Sequence, residues 1–158
     1  LQDKNFTALY DDGVFYINHD QADSKSILDD VVHEFAHHLE AVYTDLIYGD
    51  KSIVREFIGK RTSLKFELHS EGYWLKDYDF DNLRYDEKFD EFLYKRLGKS
   101  MLRMVTTGLF IRPYASVSLR EYFATGFEAY YLGKRDALEK ISPMLYDKIN
   151  ELHHQRNF

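Results

Sequence analysis

The stretch Val31-Val32-His33-Glu34-Phe35-Ala36-His37-His38-Leu39-Glu40 contains the pattern His-Glu-x-x-His. Apolar residues recur around it with helical periodicity, which predicts a helix from about 26 to 47. Residues four apart lie on the same face of a helix, so His33 and His37 can direct two imidazoles at one metal ion. Glu34 follows the first histidine and can reach a water molecule bound to that metal. This is the spacing that a helical zinc hydrolase requires.

Length and composition limit the classes of protein that the chain can belong to. Its 158 residues are 44% hydrophobic and 16% aromatic, which predicts one globular domain over residues 1–158 with a substantial core. A net charge of -6 with interspersed signs argues against a nucleic-acid-binding protein. The absence of cysteine excludes disulfides and a cysteine-based zinc site. No apolar run is long enough to span a membrane.

The rest of the chain predicts an α+β fold that is mostly helical. A β-branched and aromatic run at 14–17 is typical of a strand, and we expect a small sheet beside the metal-binding helix. The further predicted elements are a helix over 50–59, a strand over 63–68, an aromatic loop over 72–80, helices over 86–106 and 118–132, and a last helix from Ser142-Pro143, with Ser142 as its cap.

A catalytic zinc site requires a third protein ligand, because such sites use three and leave the fourth position for water. No third histidine follows at the spacing that would place it beside the first two. We therefore expect a carboxylate from a later helix. The segment 118–130 is the obvious candidate, since Glu121, Thr125 and Glu128 share one face of its helix.

Two alternatives stay open for this third ligand. Ser118-x-x-Glu121 also fits a capping box, in which the glutamate side chain bonds backbone at the start of a helix. A glutamate engaged in that way cannot fully serve as a metal ligand as well. Glu128 is the main competitor.

Three segments together resemble a known family. His33-Glu34-Phe35-Ala36-His37, Tyr114 and Glu121-Tyr122-Phe123-Ala124 look like the catalytic domain of anthrax-lethal-factor-like zinc metallopeptidases of the gluzincin type, and are similar to the secreted Pro-Pro endopeptidases. In that family a tyrosine seven residues before the glutamate ligand points into the site, and Tyr114 and Glu121 have this separation. The resemblance covers roughly residues 27–48 and 109–132.

The resemblance implies a zincin-like fold, with one Zn²⁺ per chain bound by His33, His37 and Glu121. Glu34 would be the general base, and Tyr114 would donate a hydrogen bond to the reacting carbonyl oxygen. The implied activity is hydrolysis of peptide bonds in a protein or peptide substrate. The implied setting is a secreted protease or toxin that is delivered outside the cell.

The sequence departs from the family pattern at two places. Residues 50–106 have no counterpart in it and are predicted to be an insertion. Thr125 stands where the family often carries a carboxylate one turn after the glutamate ligand, so either Thr125 or Glu128 is expected to support the site.

A second hypothesis belongs to a different class of function. The chain could be a non-catalytic zincin-like structural or interaction domain of a larger toxin or particle protein, in which zinc only braces the fold. Glu34 counts against this hypothesis, because a structural zinc site needs no general base.

Overall fold

The computed structural model describes residues 8–11, 14–17 and 24–155, and its body is helical. Within residues 24–155, 75% of the residues are helical and none is in a strand. The helices are α1 (Ser24–Val42), α2 (Thr44–Tyr48), α3 (Ser52–Ser70), α4 (Glu87–Glu91), α5 (Gly98–Thr106), α6 (Leu119–Tyr131), α7 (Arg135–Ile141) and α8 (Pro143–His154), with a π-helical segment at Phe92–Leu97 and a 3-10 turn at Pro113–Ser116.

Two short strands precede the helices. β1 (Ala8–Asp11) and β2 (Val14–Ile17) pair antiparallel, with Ala8 opposite Ile17. β2 covers the run that was predicted as a strand. The backbone of β1 lies close to α1.

The predicted α+β fold class, with its small sheet beside the metal-binding helix, is wrong, because the strands that the structure describes amount to one short hairpin and residues 24–155 contain no strand. The strands described form a hairpin of four residues each, and the body of the protein from residue 24 to 155 is built by packing helix on helix. A zincin fold is therefore not shown.

The predicted strand over 63–68 is also wrong, because α3 continues through it to Ser70. Leu64 and Leu68 are fully buried and stand one helical turn apart, whereas Phe66 between them is 70% exposed. The alternation of apolar residues was therefore the i, i+4 face of a helix plus one exposed aromatic ring.

Helix boundaries differ from prediction in two further places. The long helix predicted to reach residue 47 ends at Val42, and α2 starts again at Thr44. The helix predicted over 86–106 is interrupted at Gly98, whose φ of 77° lies in the left-handed region that favours glycine. The helix predicted over 118–132 is confirmed as α6, and α7 was not predicted.

The segment 50–106 contributes much of the core. Phe57 of α3 packs on Tyr122 of α6 with ring centroids 5.3 Å apart. Arg61 of the same helix is 1% exposed, with its guanidinium 4.1 Å from the ring centroid of Phe89. That these residues form an insertion stays a prediction.

The start of α8 is held by a side chain from α3. Ser142 stands at the N-cap position as predicted, but its side chain makes no capping bond. Glu56 instead accepts hydrogen bonds from the backbone N of Met144 at 2.8 Å and of Leu145 at 3.1 Å. The hydroxyl of Tyr122 also donates to Glu56, at 2.6 Å. One carboxylate thus joins α3, α6 and α8.

No helix in the described part of the chain is both long and apolar enough to cross a lipid bilayer.

We expect Glu56→Ala to lower the free energy of unfolding by about 2–3 kcal/mol, because it removes a charged acceptor from two amides and one hydroxyl. Urea unfolding followed by circular dichroism measures this loss. Glu67→Ala, on the exposed face of the same helix, is the control and should change stability by no more than about 0.5 kcal/mol. Equal losses in both variants would contradict the role given to Glu56.

Candidate metal centre

Two helices bring the three predicted metal ligands together. His33 and His37 lie on α1, and Glu121 lies in the first turn of α6. The His33 Nε2 atom is 2.9 Å from Glu121 Oε2, and the His37 Nε2 atom is 3.4 Å from Glu121 Oε1. One donor atom from each of the three residues lies within 4.8 Å of the others.

The packing of α1 on α6 places the histidines. Ala36 is fully buried and Leu39 is 7% exposed in the core. Phe35 contacts Phe127 of α6, with ring centroids 6.2 Å apart.

The position of Glu121 follows from how α6 begins. Ser118 Oγ accepts a hydrogen bond from the backbone N of Glu121 at 3.2 Å. The preceding residue is fixed as well, because buried Arg61 donates to the carbonyl of Val117 at 2.8 Å. The Glu121 carboxylate is directed at the imidazoles rather than at the helix start. The serine thus caps the helix, and the glutamate side chain is available as a ligand.

Burial and hydrogen bonds shift the pKa values of all three residues of the cluster. Burial disfavours a charged His33, yet hydrogen bonds to Glu121 and Glu128 outweigh burial and raise its pKa to about 9. The pKa of His37 is raised too, since the nearby carboxylates of Glu121 and Glu40 outweigh burial. Burial alone would raise the pKa of Glu121, but the two imidazoles lower it to about 2.

A second carboxylate lies behind His33. Glu128 Oε2 is 3.1 Å from His33 Nδ1, on the opposite side of the ring from Glu121. Thr125 does not reach the histidine, because its hydroxyl donates to the backbone carbonyl of Glu121 at 2.8 Å. Of the two residues considered for a supporting role, the structure therefore places Glu128 against the ligand.

A different pair of groups lies behind His37. Arg120 Nε donates to His37 Nδ1 at 3.0 Å, and Glu40 Oε2 lies 3.9 Å from the same nitrogen. Tyr48 donates to Glu40 at 2.6 Å and holds it in place.

Glu34 and Tyr114 line one cavity beside the cluster. The cavity has a volume of about 340 Å³, and His33, Arg112 and Glu128 also line it. Tyr114 lies in the 3-10 turn before α6 and is 36% exposed. Both predicted catalytic residues, Glu34 and Tyr114, therefore line the same cavity as His33.

Sequence reasoning missed Arg112, Arg120 and Glu40. Glu40 could have been found, because it lies three residues after His37 and hence on the same helix face. Arg112 and Arg120 flank Tyr114 and Glu121 in sequence, but their side chains are long and nothing in the local pattern fixes their direction.

The donor set fits a zinc ion. Zinc binds imidazole nitrogen and carboxylate oxygen at about 2.0–2.2 Å in a tetrahedron, which separates neighbouring ligand atoms by roughly 3.4 Å. The two imidazole nitrogens lie 2.9 Å and 3.4 Å from different oxygens of Glu121, and one donor atom from each of the three residues lies within 4.8 Å of the others. Two imidazoles and one carboxylate leave a fourth position for water or substrate.

Comparisons with protein-family models, with curated proteins and with solved structures found no match for the chain. The likeness to lethal-factor-like metallopeptidases therefore rests on the segments quoted above, and it stays a prediction.

We expect about one zinc per chain in the dialysed protein, and much less in Glu121→Ala, because that change removes the carboxylate that α6 contributes to the three-residue cluster. Elemental analysis measures the metal content directly. Glu139→Ala, an exposed glutamate on α7, is the matched control and should keep its zinc. Full zinc content in Glu121→Ala would contradict the assignment of this ligand.

Proposed function

We propose that the chain hydrolyses peptide bonds as a zinc-dependent metalloendopeptidase. The observation that carries the proposal is the meeting of His33, His37 and Glu121 at one point, beside a cavity that also contains Glu34 and Tyr114. A structural zinc site is closed by four protein ligands, whereas this cluster offers three donors next to an opening.

Two cavities adjoin the cluster and support a polymeric substrate. His33 and Glu34 line the cavity of about 340 Å³, and Glu121 lines another of about 600 Å³ together with Arg84 and Arg120. A peptide that occupied both would have its backbone beside the His33–Glu121 contact. The resemblance to secreted metallopeptidases motivates a peptide as substrate, and with it the proposal that the protein acts outside the cell.

The chemistry divides between the metal and the side chains of this chain. A zinc ion in this site would supply a Lewis acid for the scissile carbonyl and lower the pKa of water toward neutrality. Glu34 accepts the proton of the attacking water and returns it to the leaving amine. The bond from water oxygen to carbonyl carbon forms, and the carbon–nitrogen bond then breaks.

Tyr114 is suited to stabilise the oxygen that becomes negative. Burial and the nearby Glu121 carboxylate raise the pKa of its hydroxyl to about 12. The hydroxyl therefore keeps its proton at neutral pH and can donate a hydrogen bond as charge develops.

We expect Glu34→Gln to bind zinc like the parent and to lose at least about 100-fold in kcat, because the amide cannot accept a proton. Turnover is measured on a quenched-fluorescence peptide library, with a chelator-treated sample and a zinc-restored sample beside it. Glu139→Gln is the control for the loss of one negative charge.

Two outcomes would count against the proposal. Cleavage by Glu34→Gln as fast as by the parent would reject the general base. A parent that holds zinc but cleaves nothing in the library would favour the hypothesis of a non-catalytic domain braced by zinc.

We expect Tyr114→Phe to reduce kcat by about 100-fold with zinc content unchanged, since one donor to the oxyanion is lost. Tyr94→Phe is the matched control, because its ring lies 6.4 Å from that of Tyr114 and the same group is removed. An equal effect of both changes on kcat would show that the Tyr114 hydroxyl has no special part in the reaction.

A further inference from the structure

A histidine that binds a metal through one ring nitrogen must carry its hydrogen on the other. That hydrogen needs an acceptor, which fixes both the tautomer and the orientation of the ring. The groups on the Nδ1 side of His33 and His37 therefore decide how ready each residue is to bind metal through Nε2.

His33 meets this requirement. Its Nε2 atom faces Glu121, and its Nδ1 atom is 3.1 Å from Glu128 Oε2, an oxygen that can accept the ring hydrogen. Arg112 also approaches Nδ1, at 3.3 Å, but a guanidinium only donates and offers no acceptor. The hydrogen on Nδ1 is thus directed to Glu128.

Arg112 fixes Glu128 in turn. Its two terminal nitrogens contact Oε1 at 3.0 Å and Oε2 at 2.8 Å, which is a bidentate pair. Glu128 is 9% exposed, so its charge would be costly without such a partner. The pair keeps the carboxyl oxygen of Glu128 in place behind the ring.

The Nδ1 atom of His37 has the opposite role in hydrogen bonding. Arg120 Nε donates to its Nδ1 atom, which therefore acts as acceptor, and the ring hydrogen is left on Nε2. Binding a metal through Nε2 requires this bond to break and the hydrogen to move to Nδ1, where Glu40 lies 3.9 Å away. The Nδ1 atom of His33 therefore faces a carboxylate acceptor, whereas the Nδ1 atom of His37 faces a donor.

We infer that Glu128, clamped by Arg112, is a positioning residue that sets His33 as the anchoring zinc ligand. The inference rests on the proposed zinc site and deepens it. Glu128 acts through His33 and is not itself one of the three metal ligands.

The test is the zinc dissociation constant, measured at constant pH by competition with a chromophoric chelator. Glu128→Ala should weaken zinc binding by about 10–100-fold, the range typical of a lost partner to a ligand histidine. Glu128→Gln should fall between that variant and the parent, because its amide oxygen still accepts a hydrogen bond but carries no charge. Glutamine is similar in size to glutamate, so Glu128→Gln keeps the test valid if the alanine variant does not fold. An unchanged helical circular dichroism spectrum checks that Glu128→Gln is folded.

Arg120→Gln provides the matched comparison, because it also removes a contact to Nδ1 of a ligand histidine. That contact must break when zinc binds, so the variant should bind zinc at least as tightly as the parent. Glu139→Gln should equal the parent. A general disturbance of the site would instead weaken zinc binding in both Glu128→Gln and Arg120→Gln.

Long-range nitrogen–proton NMR of the imidazoles gives a second readout. In the zinc-loaded parent, His33 should show its hydrogen on Nδ1 in slow exchange with water, and Glu128→Ala should accelerate that exchange. Zinc affinity within twofold of the parent in both Glu128 variants would overturn the inference and leave the proposed function standing. A parent that does not bind zinc would overturn both.

Discussion

The carboxylate of Glu121, shared between the imidazoles of His33 and His37, is the interaction on which the site depends. It links α1 to α6 across 88 residues of sequence and lies where the two helices pack. Both imidazoles are largely buried, so each needs a partner within the protein. The same arrangement that satisfies these groups is the one that aligns three donors for a cation.

The ionisable groups around this contact form one continuous series, in which basic and acidic side chains alternate from Arg112 to His37 before the cationic Arg120 follows. Buried charges are tolerated when each is paired and hydrogen-bonded, and are costly when one partner is missing. From one end to the other the series is Arg112, Glu128, His33, Glu121, His37, Arg120 and Glu40. No member can be understood alone, because the direction of each side chain depends on the next.

The sequence predicted the meeting of His33, His37 and Glu121 better than it predicted the fold, for physical reasons. The His33–His37 spacing is a local property of one helix, and the serine at position 118 fixes the start of another through a bond three residues long. Both were therefore accessible to pattern reasoning. The secondary structure of residues 63–68 was not accessible in this way, because a short apolar run suits a strand or a buried helix face equally well. Arg112 and Arg120 escaped because their contacts are set by tertiary packing.

The cap that Glu56 supplies to α8 links distant parts of the chain in folding. Its bond to Met144 spans 88 residues, and α8 has no capping side chain of its own at Ser142. The first turn of α8 therefore completes only when α3 is already in place. Local fraying of α8 at that end removes two of the donors to Glu56 and leaves the Tyr122 hydroxyl in place, so the opening of this turn is coupled to the contact between α3 and α6. The amide hydrogens of Met144 and Leu145 report on this cooperative unit rather than on the end of a single helix.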